Sequence, residues 1–153
     1  MADSAIQRDG FGEALFKGLE GLPSAGRLTA EQLEVVYALA YAHVAQEQYA
    51  QALPVFAFLA QYGPTRKHYL VGLGVCLQML GRSEEAITIY SLVLTLYPDS
   101  WHAALRVAEC QMAGQQLDQA RRTLELLCTP GIPADVRKRA QALLQLIMRE
   151  AVS

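Results

Sequence analysis

The residues of this chain whose types could carry chemistry are three histidines, three cysteines and one glycine-rich stretch. His68 and His102 stand 34 positions apart, with His43 between the chain start and the pair. A metal site built on them needs further carboxylate, thiolate or imidazole donors and a partner that orients each ring. The sequence places no carboxylate or cysteine clearly beside the pair. Cys76, Cys110 and Cys128 fit no CxxC spacing and fall within helical patterns, which predicts free thiols in a reducing compartment. LVGLGVCLQMLG, residues 70–81, superficially matches a dinucleotide fingerprint. It lies inside a helical pattern and no strand precedes it, so it lacks the context that chemistry requires. No Ser–His–Asp set and no phosphate-cradling loop stands out. These residues predict no enzyme, no metal and no cofactor.

Composition narrows the classes further. In 153 residues, 52% are hydrophobic and 18% charged, enough apolar content for one domain with a core and too much for a disordered chain. A net charge of −2 and a pI near 5.9 give no general attraction to nucleic acid or to an anionic membrane. No apolar run reaches the ~18–20 residues of a membrane span. The first residues lack a basic segment followed by an apolar one, so a signal peptide is not expected and a cytoplasmic location is. The mean hydropathy of +0.15 is high for such a chain and points to apolar surface kept for a partner.

The elements that must position these residues repeat. Residues 69–98 read as two amphipathic helices around a turn at Gly81-Arg82-Ser83, with Leu70, Leu73, Leu77 and Leu80 on the first and Ala86, Ile89, Tyr90, Val93 and Leu94 on the second. Small residues, Gly72, Gly74 and Ala86, sit where the pair is expected to come close. At an offset of 34 residues, Leu39, Leu73 and Val107 coincide, as do Ala40, Gly74 and Ala108. Tyr49, Ser83 and Leu117 open the second helices; Ala52, Ala86 and Ala120 fall together, followed by Phe56, Tyr90 and Leu124 and then by Leu59, Val93 and Leu127. Pro64 and Pro98 close two units, and Pro130 and Pro133 straddle the third closure. The pattern resembles the tetratricopeptide repeat. It departs from it at Glu47, where a turn glycine is usual, and at Gly114, which comes one position early.

The expected fold is therefore all-α: three tetratricopeptide-type helix pairs in a short curved solenoid, with an N-terminal helix and a C-terminal capping helix. The expected divisions are residues 1–28, a tail and short helix; 29–131, three repeats of about 33–66, 67–100 and 101–131; and 132–153, the cap. Thr29 with Gln32 forms a capping-box pattern that opens the first repeat helix near Ala30. The last helix sets Val136, Ala140, Leu143, Leu144 and Ile147 against Arg137, Lys138, Arg139 and Arg149. It reads as the solubilising end of the array or as a basic docking helix.

Stacked pairs curve, and the first helix of each pair lines the concave side. Periodicity assigns to that groove Tyr37, Tyr41 and Val44; His68, Val71, Val75 and Met79; and His102, Leu105, Glu109 and Met112. This is an apolar trough with two tyrosines one turn apart and adaptable methionines, suited to an extended or helical peptide. The competing reading puts Tyr37 and Tyr41 in the core against the N-terminal helix. Relatives that clamp a C-terminal carboxylate carry lysine and asparagine where this chain has Tyr37, Tyr41 and Val71, so that mode is not expected.

With the repeats in place, three pieces are similar to one family: the LE..Y.LA start, the GLG.C.Q..G..E.AI..Y block and the AEC....G...QA segment, within residues 30–127. They resemble the class II chaperones of type III secretion systems. That resemblance implies a small, non-enzymatic, cytoplasmic helical protein without cofactors. Its partners are hydrophobic translocator proteins, gripped by an extended segment in the groove. It implies neither nucleic-acid binding nor membrane insertion. Tyr37, Tyr41, Val44 and Tyr49 fall where the family has groove aromatics, Val44 being smaller than usual. The resemblance also implies a possible homodimer through Phe11, Leu15 and Leu19. The alternative is a tetratricopeptide scaffold or regulatory subunit held in a stable secretion-apparatus complex.

Overall fold

The protein is seen in a computed structural model that describes residues 9–152. Helix α1 (Gly10–Glu20) starts at Asp9, whose carboxylate accepts from the Gly12 N–H at 2.6 Å. A 3-10 turn, Pro23–Gly26, follows it. Helix α2 (Ala30–Ala45) opens on a reciprocal capping box: Gln32 N–H donates to Thr29 Oγ1 at 3.1 Å, and Thr29 N–H donates to Gln32 Oε1 at 2.9 Å. Then come α3 (Tyr49–Tyr62), α4 (Lys67–Met79), α5 (Ser83–Leu96), α6 (Trp101–Ala113), α7 (Leu117–Leu126) and α8 (Ala134–Val152). Among the described residues helix is the only regular secondary structure, and each of the pairs α2–α3, α4–α5 and α6–α7 is one repeat.

The turns inside the three pairs share one geometry. Glu47, Gly81 and Gln115 take left-handed backbone conformations, with φ of 59°, 78° and 61°. Beyond each, an N–H reaches back five residues: Gln48 to His43 O, Arg82 to Leu77 O and Gln116 to Gln111 O, at 2.8, 2.9 and 2.8 Å. Such a bond satisfies a carbonyl that the helix end leaves open. The missing glycine at Glu47 thus changes the residue and not the turn. Gly114, with φ of −86°, does not need to be glycine; its neighbour Gln115 carries the strained conformation instead.

Two glycines of α4 let neighbouring aromatic rings come close to its backbone. A Cβ on Gly74 would stand 2.5 Å from Tyr90 of α5, which is the approach within the pair that the small residues predict. A Cβ on Gly72 would stand 2.1 Å from Phe56 of α3. The expectation that both glycines serve the α4–α5 contact is corrected here, since Gly72 admits the ring of the preceding repeat.

No repeat closes its own core. The first cluster joins Ala40, Ala52, Phe56 and Leu59 to Tyr69 and Cys76 of α4. The second joins Leu70, Leu77, Tyr90 and Val93 to Ala103, Val107 and Cys110 of α6. The third joins Leu105, Ala108, Ala120 and Leu124 to Val136, Ala140, Leu143 and Ile147 of α8. Each repeat therefore borrows the next first helix, and α8 stands where a fourth would be. Tyr97 OH donates to Thr65 O across the central join. Helix α1 packs against α5 and the 3-10 turn, with Leu15, Phe16 and Leu19 on the central core. Thr65 Oγ1 donates to Glu20 Oε1 at 2.7 Å and ties the end of α1 down.

Candidate partner-binding face

Helices α2, α4, α6 and α8 form one layer, and side-chain bonds cross it directly. His68 Nε2 lies 2.7 Å from Glu34 Oε1, joining α4 to α2. His102 Nε2 lies 2.8 Å from Asp135 Oδ2, joining α6 to α8. Gln78 Nε2 donates to Glu109 Oε1 at 3.4 Å, while Gln78 Oε1 accepts from Tyr90 OH at 2.9 Å and from Arg106 Nη1 at 3.2 Å. Arg139 Nη2 is 3.8 Å from Glu109 Oε2.

These pairs supply the carboxylates that the sequence did not place beside the histidines. His68 and His102 each have their own acid, while His43 Nδ1 meets the Gln48 amide oxygen at 2.8 Å, and no group of three histidine, cysteine or acidic side chains able to hold a metal forms among the described residues. His68 holds the Glu34 carboxyl below its ordinary range, against a smaller effect of burial, with Tyr69 OH adding a second bond at 3.0 Å. Burial first, and then Glu34, push the Tyr69 phenol up to about 12. His102 lowers Asp135 in the same way. The cysteines sit in apolar surroundings: burial pushes Cys76 and Cys110 up to about 11. A thiol so raised is a poor nucleophile.

Tyr37 stands between the two places predicted for it. Its ring lies 6.0 Å from Phe56, 5.7 Å from Tyr69, 4.8 Å from His68 and 6.1 Å from Tyr41. Burial, ahead of the nearby Glu34, raises its phenol. It is half-buried on the first core, whereas Leu15, Phe16 and Leu19 of α1 pack on the second. Tyr41 is 60% exposed and Met79 is 52% exposed. Val44, Val71 and Val75 are half-buried between them, and His68 and His102 are bonded as above. The face thus has an apolar end at α2 and α4 and a polar end at α6 and α8.

The other predicted residues lie differently. Leu105 is only 9% exposed and belongs to the third core; the arrival of α8 covers the surface its position otherwise offers. Met112 packs partly on that core, and Tyr49 partly on the first. Leu15 and Leu19 are half-buried on the central core, which leaves Phe11, 70% exposed, as the free apolar residue of that trio.

Sequence reasoning missed one feature on the opposite layer. A cleft of about 540 Å³ opens between α3 and α5, walled by Leu53, Ala57 and Ile89 and floored by Leu73 and Leu77 of α4. The Arg82–Glu85 pair, at 2.6 Å, stands at its edge. The leucine spacing read simply as core, and nothing in the sequence signalled how far α3 and α5 stand apart.

Two sequence models described as tetratricopeptide repeat match residues 37–100 and 84–128. Together they cover more than half of the chain, which belongs to the tetratricopeptide-repeat family. Within that family its likeness is to the chaperones of type III secretion. The chaperone protein SicA of Salmonella typhimurium is 26% identical over 114 residues, covering 74% of this chain and 66% of SicA, so the chain spans just under two thirds of that relative. The crystal structure of PcrH in complex with the chaperone binding region of PopD is 25% identical, with a TM-score of 0.73 over 82% of this chain and 97% of PcrH. The Yersinia enterocolitica type III secretion chaperone SycD, in complex with a peptide of the translocator YopD, shares the fold at 24% identity, with a TM-score of 0.74 over 82% of this chain and 99% of SycD.

Proposed function

We propose that this protein is a type III secretion chaperone that keeps a hydrophobic translocator soluble by holding an extended segment of it on the face of α2, α4 and α6. The observation that carries the reading is the apolar half of that face: Tyr41 and Met79 largely exposed, with Val44, Val71 and Val75 half-open between them. It fits a peptide whose side chains enter pockets along a groove. Burying about three such side chains is worth ~1.5–3 kcal/mol each, from which the cost of association is subtracted. The result is binding that can be released. Tyr37, His68, His102 and Met112 frame the face, Tyr49 at the start of α3 packs on the first core instead, and no residue is asked to do covalent chemistry.

The relatives support the reading, since that structure of PcrH is a complex with the chaperone binding region of PopD and that of SycD a complex with a peptide of the translocator YopD. No helix among the described residues is long and apolar enough to cross a membrane. We place the protein in the bacterial cytoplasm, with residues 29–131 as the binding array, residues 132–153 as its cap, and a homodimer contact centred on Phe11.

Co-expression with candidate hydrophobic translocators tests this. A translocator should become soluble and co-purify. Translocators that stay insoluble and do not co-purify would end the proposal. Tyr41→Ala should weaken the complex while leaving helicity intact, whereas Tyr37→Ala should also lower the melting temperature, because that ring is part of the core.

A further inference from the structure

Where the apolar and polar ends of the face meet, a small pocket of about 200 Å³ lies between the N-terminal halves of α4 and α6. Its walls carry Lys67 and Arg106, with Val71 on the apolar side. Ser100 lies on the same wall as the residue before α6, in the N-cap position, yet its hydroxyl makes no capping bond. The residue is 4% exposed, and its Oγ is the one buried side-chain oxygen or nitrogen without a hydrogen-bond partner among the described residues. A buried hydroxyl left so is costly unless a partner arrives. The start of a thirteen-residue helix favours negative charge at the same point.

The remaining walls define what can enter. Asp99 is the pocket's one acidic residue, set against two permanent cations. His102 is engaged with Asp135. Arg106 gives an N–H to Gln78 Oε1 and also bonds the Tyr90 hydroxyl, which still leaves donors among its five N–H groups. Lys67 Nζ lies 5.8 Å from the Tyr97 ring and can turn on its flexible stem. The lining residues themselves set two cations against one acid in a chain of net charge −2, and Val71 joins the pocket to the apolar trough.

We propose that this pocket takes a carboxylate side chain, Asp or Glu, of the extended segment held on the face, bonded by Arg106, Lys67 and the Ser100 hydroxyl. The inference rests on the peptide-binding reading above. It makes the recognised segment a set of apolar anchors with one acid at a fixed offset from them.

The test is selection of a random-peptide display library on the full chain and on its Arg106→Gln variant, with circular dichroism confirming that both fold. The full chain should enrich peptides with apolar anchors and one acidic position. Arg106→Gln should keep the anchors and lose the acid. For one enriched peptide, replacing its acid by the matching amide should cost about tenfold in affinity on the full chain and little on Arg106→Gln. Lys67→Gln and Ser100→Ala give smaller losses of the same kind and serve if Arg106→Gln unfolds. Enriched peptides with no acidic position, or an acid preference that survives all three variants, would overturn the carboxylate pocket and leave the groove standing. A library that enriches nothing would defeat both.

Discussion

His68 Nε2 and Glu34 Oε1 lie 2.7 Å apart although the residues are one repeat period apart in the chain. The bond joins α4 to α2, and His102 with Asp135 repeats the arrangement between α6 and α8. The stacking that builds the candidate face is thereby marked on its surface by two imidazole–carboxylate contacts.

The first of these contacts predicts a dependence on pH. His68 holds the Glu34 carboxyl below its ordinary range. A carboxylate so depressed adds stability at pH values above its unfolded pKa, and the contribution is lost as the pH falls through the lowered folded value. Both side chains are more than a third exposed, at 40% and 46%, so solvent screens the pair and its worth is at most about 1 kcal/mol. Glu34→Gln should lower the melting temperature at pH 7 by no more than roughly 2–4 °C. The difference should begin to shrink as the pH falls below the ordinary glutamate value of about 4.3 and vanish only once it has passed the lowered folded value. Thermal melts of the two proteins across that range check it.

The turns predict stability changes of opposite sign. Gln115 holds φ at 61°, a conformation that costs a side-chain-bearing residue about 1 kcal/mol or more. Gln115→Gly should be neutral or stabilising by up to about 1 kcal/mol, since glycine gives back part of the gain as unfolded-state entropy. Gly81, with φ of 78° and open space around it, is the converse. Gly81→Ala should destabilise by about 1 kcal/mol through backbone strain alone. Urea denaturation midpoints at constant slope measure both.

The cysteines predict a labelling pattern. Cys76 and Cys110 are buried with their thiols pushed up to about 11, while Cys128 is only half-buried and less strongly raised. A thiol reagent at pH 8 should modify Cys128 first, and all three cysteines only in denaturant. Rapid native labelling of Cys76 or Cys110 would show that the first or second core opens readily.

The parts of this structure legible in the sequence were those set by period. The starts of α3, α5 and α7 at Tyr49, Ser83 and Leu117 follow from the alanine and aromatic register, and the opening of α2 from Thr29 and Gln32. What was not legible depends on contacts between repeats. The spacing of His68 and His102 was visible, but Glu34 and Asp135 become their partners only after neighbouring units stack. Leu105 shares its register with Tyr37 and Val71, yet α8 covers it and leaves them half-open. Gly72 read as part of one helix pair because sequence periodicity does not say which neighbour sends Phe56 across.

The central claim is that an extended translocator segment lies on the face of α2, α4 and α6. The most direct measurement places a photoreactive residue at Met79 on that face, or at Thr88 on the wall of the opposite cleft, in complexes co-expressed with the translocator. Crosslinks from Met79 to a single short translocator segment, with none from Thr88, are the expected result. An intact complex that crosslinks from Thr88 and not from Met79 would contradict the account.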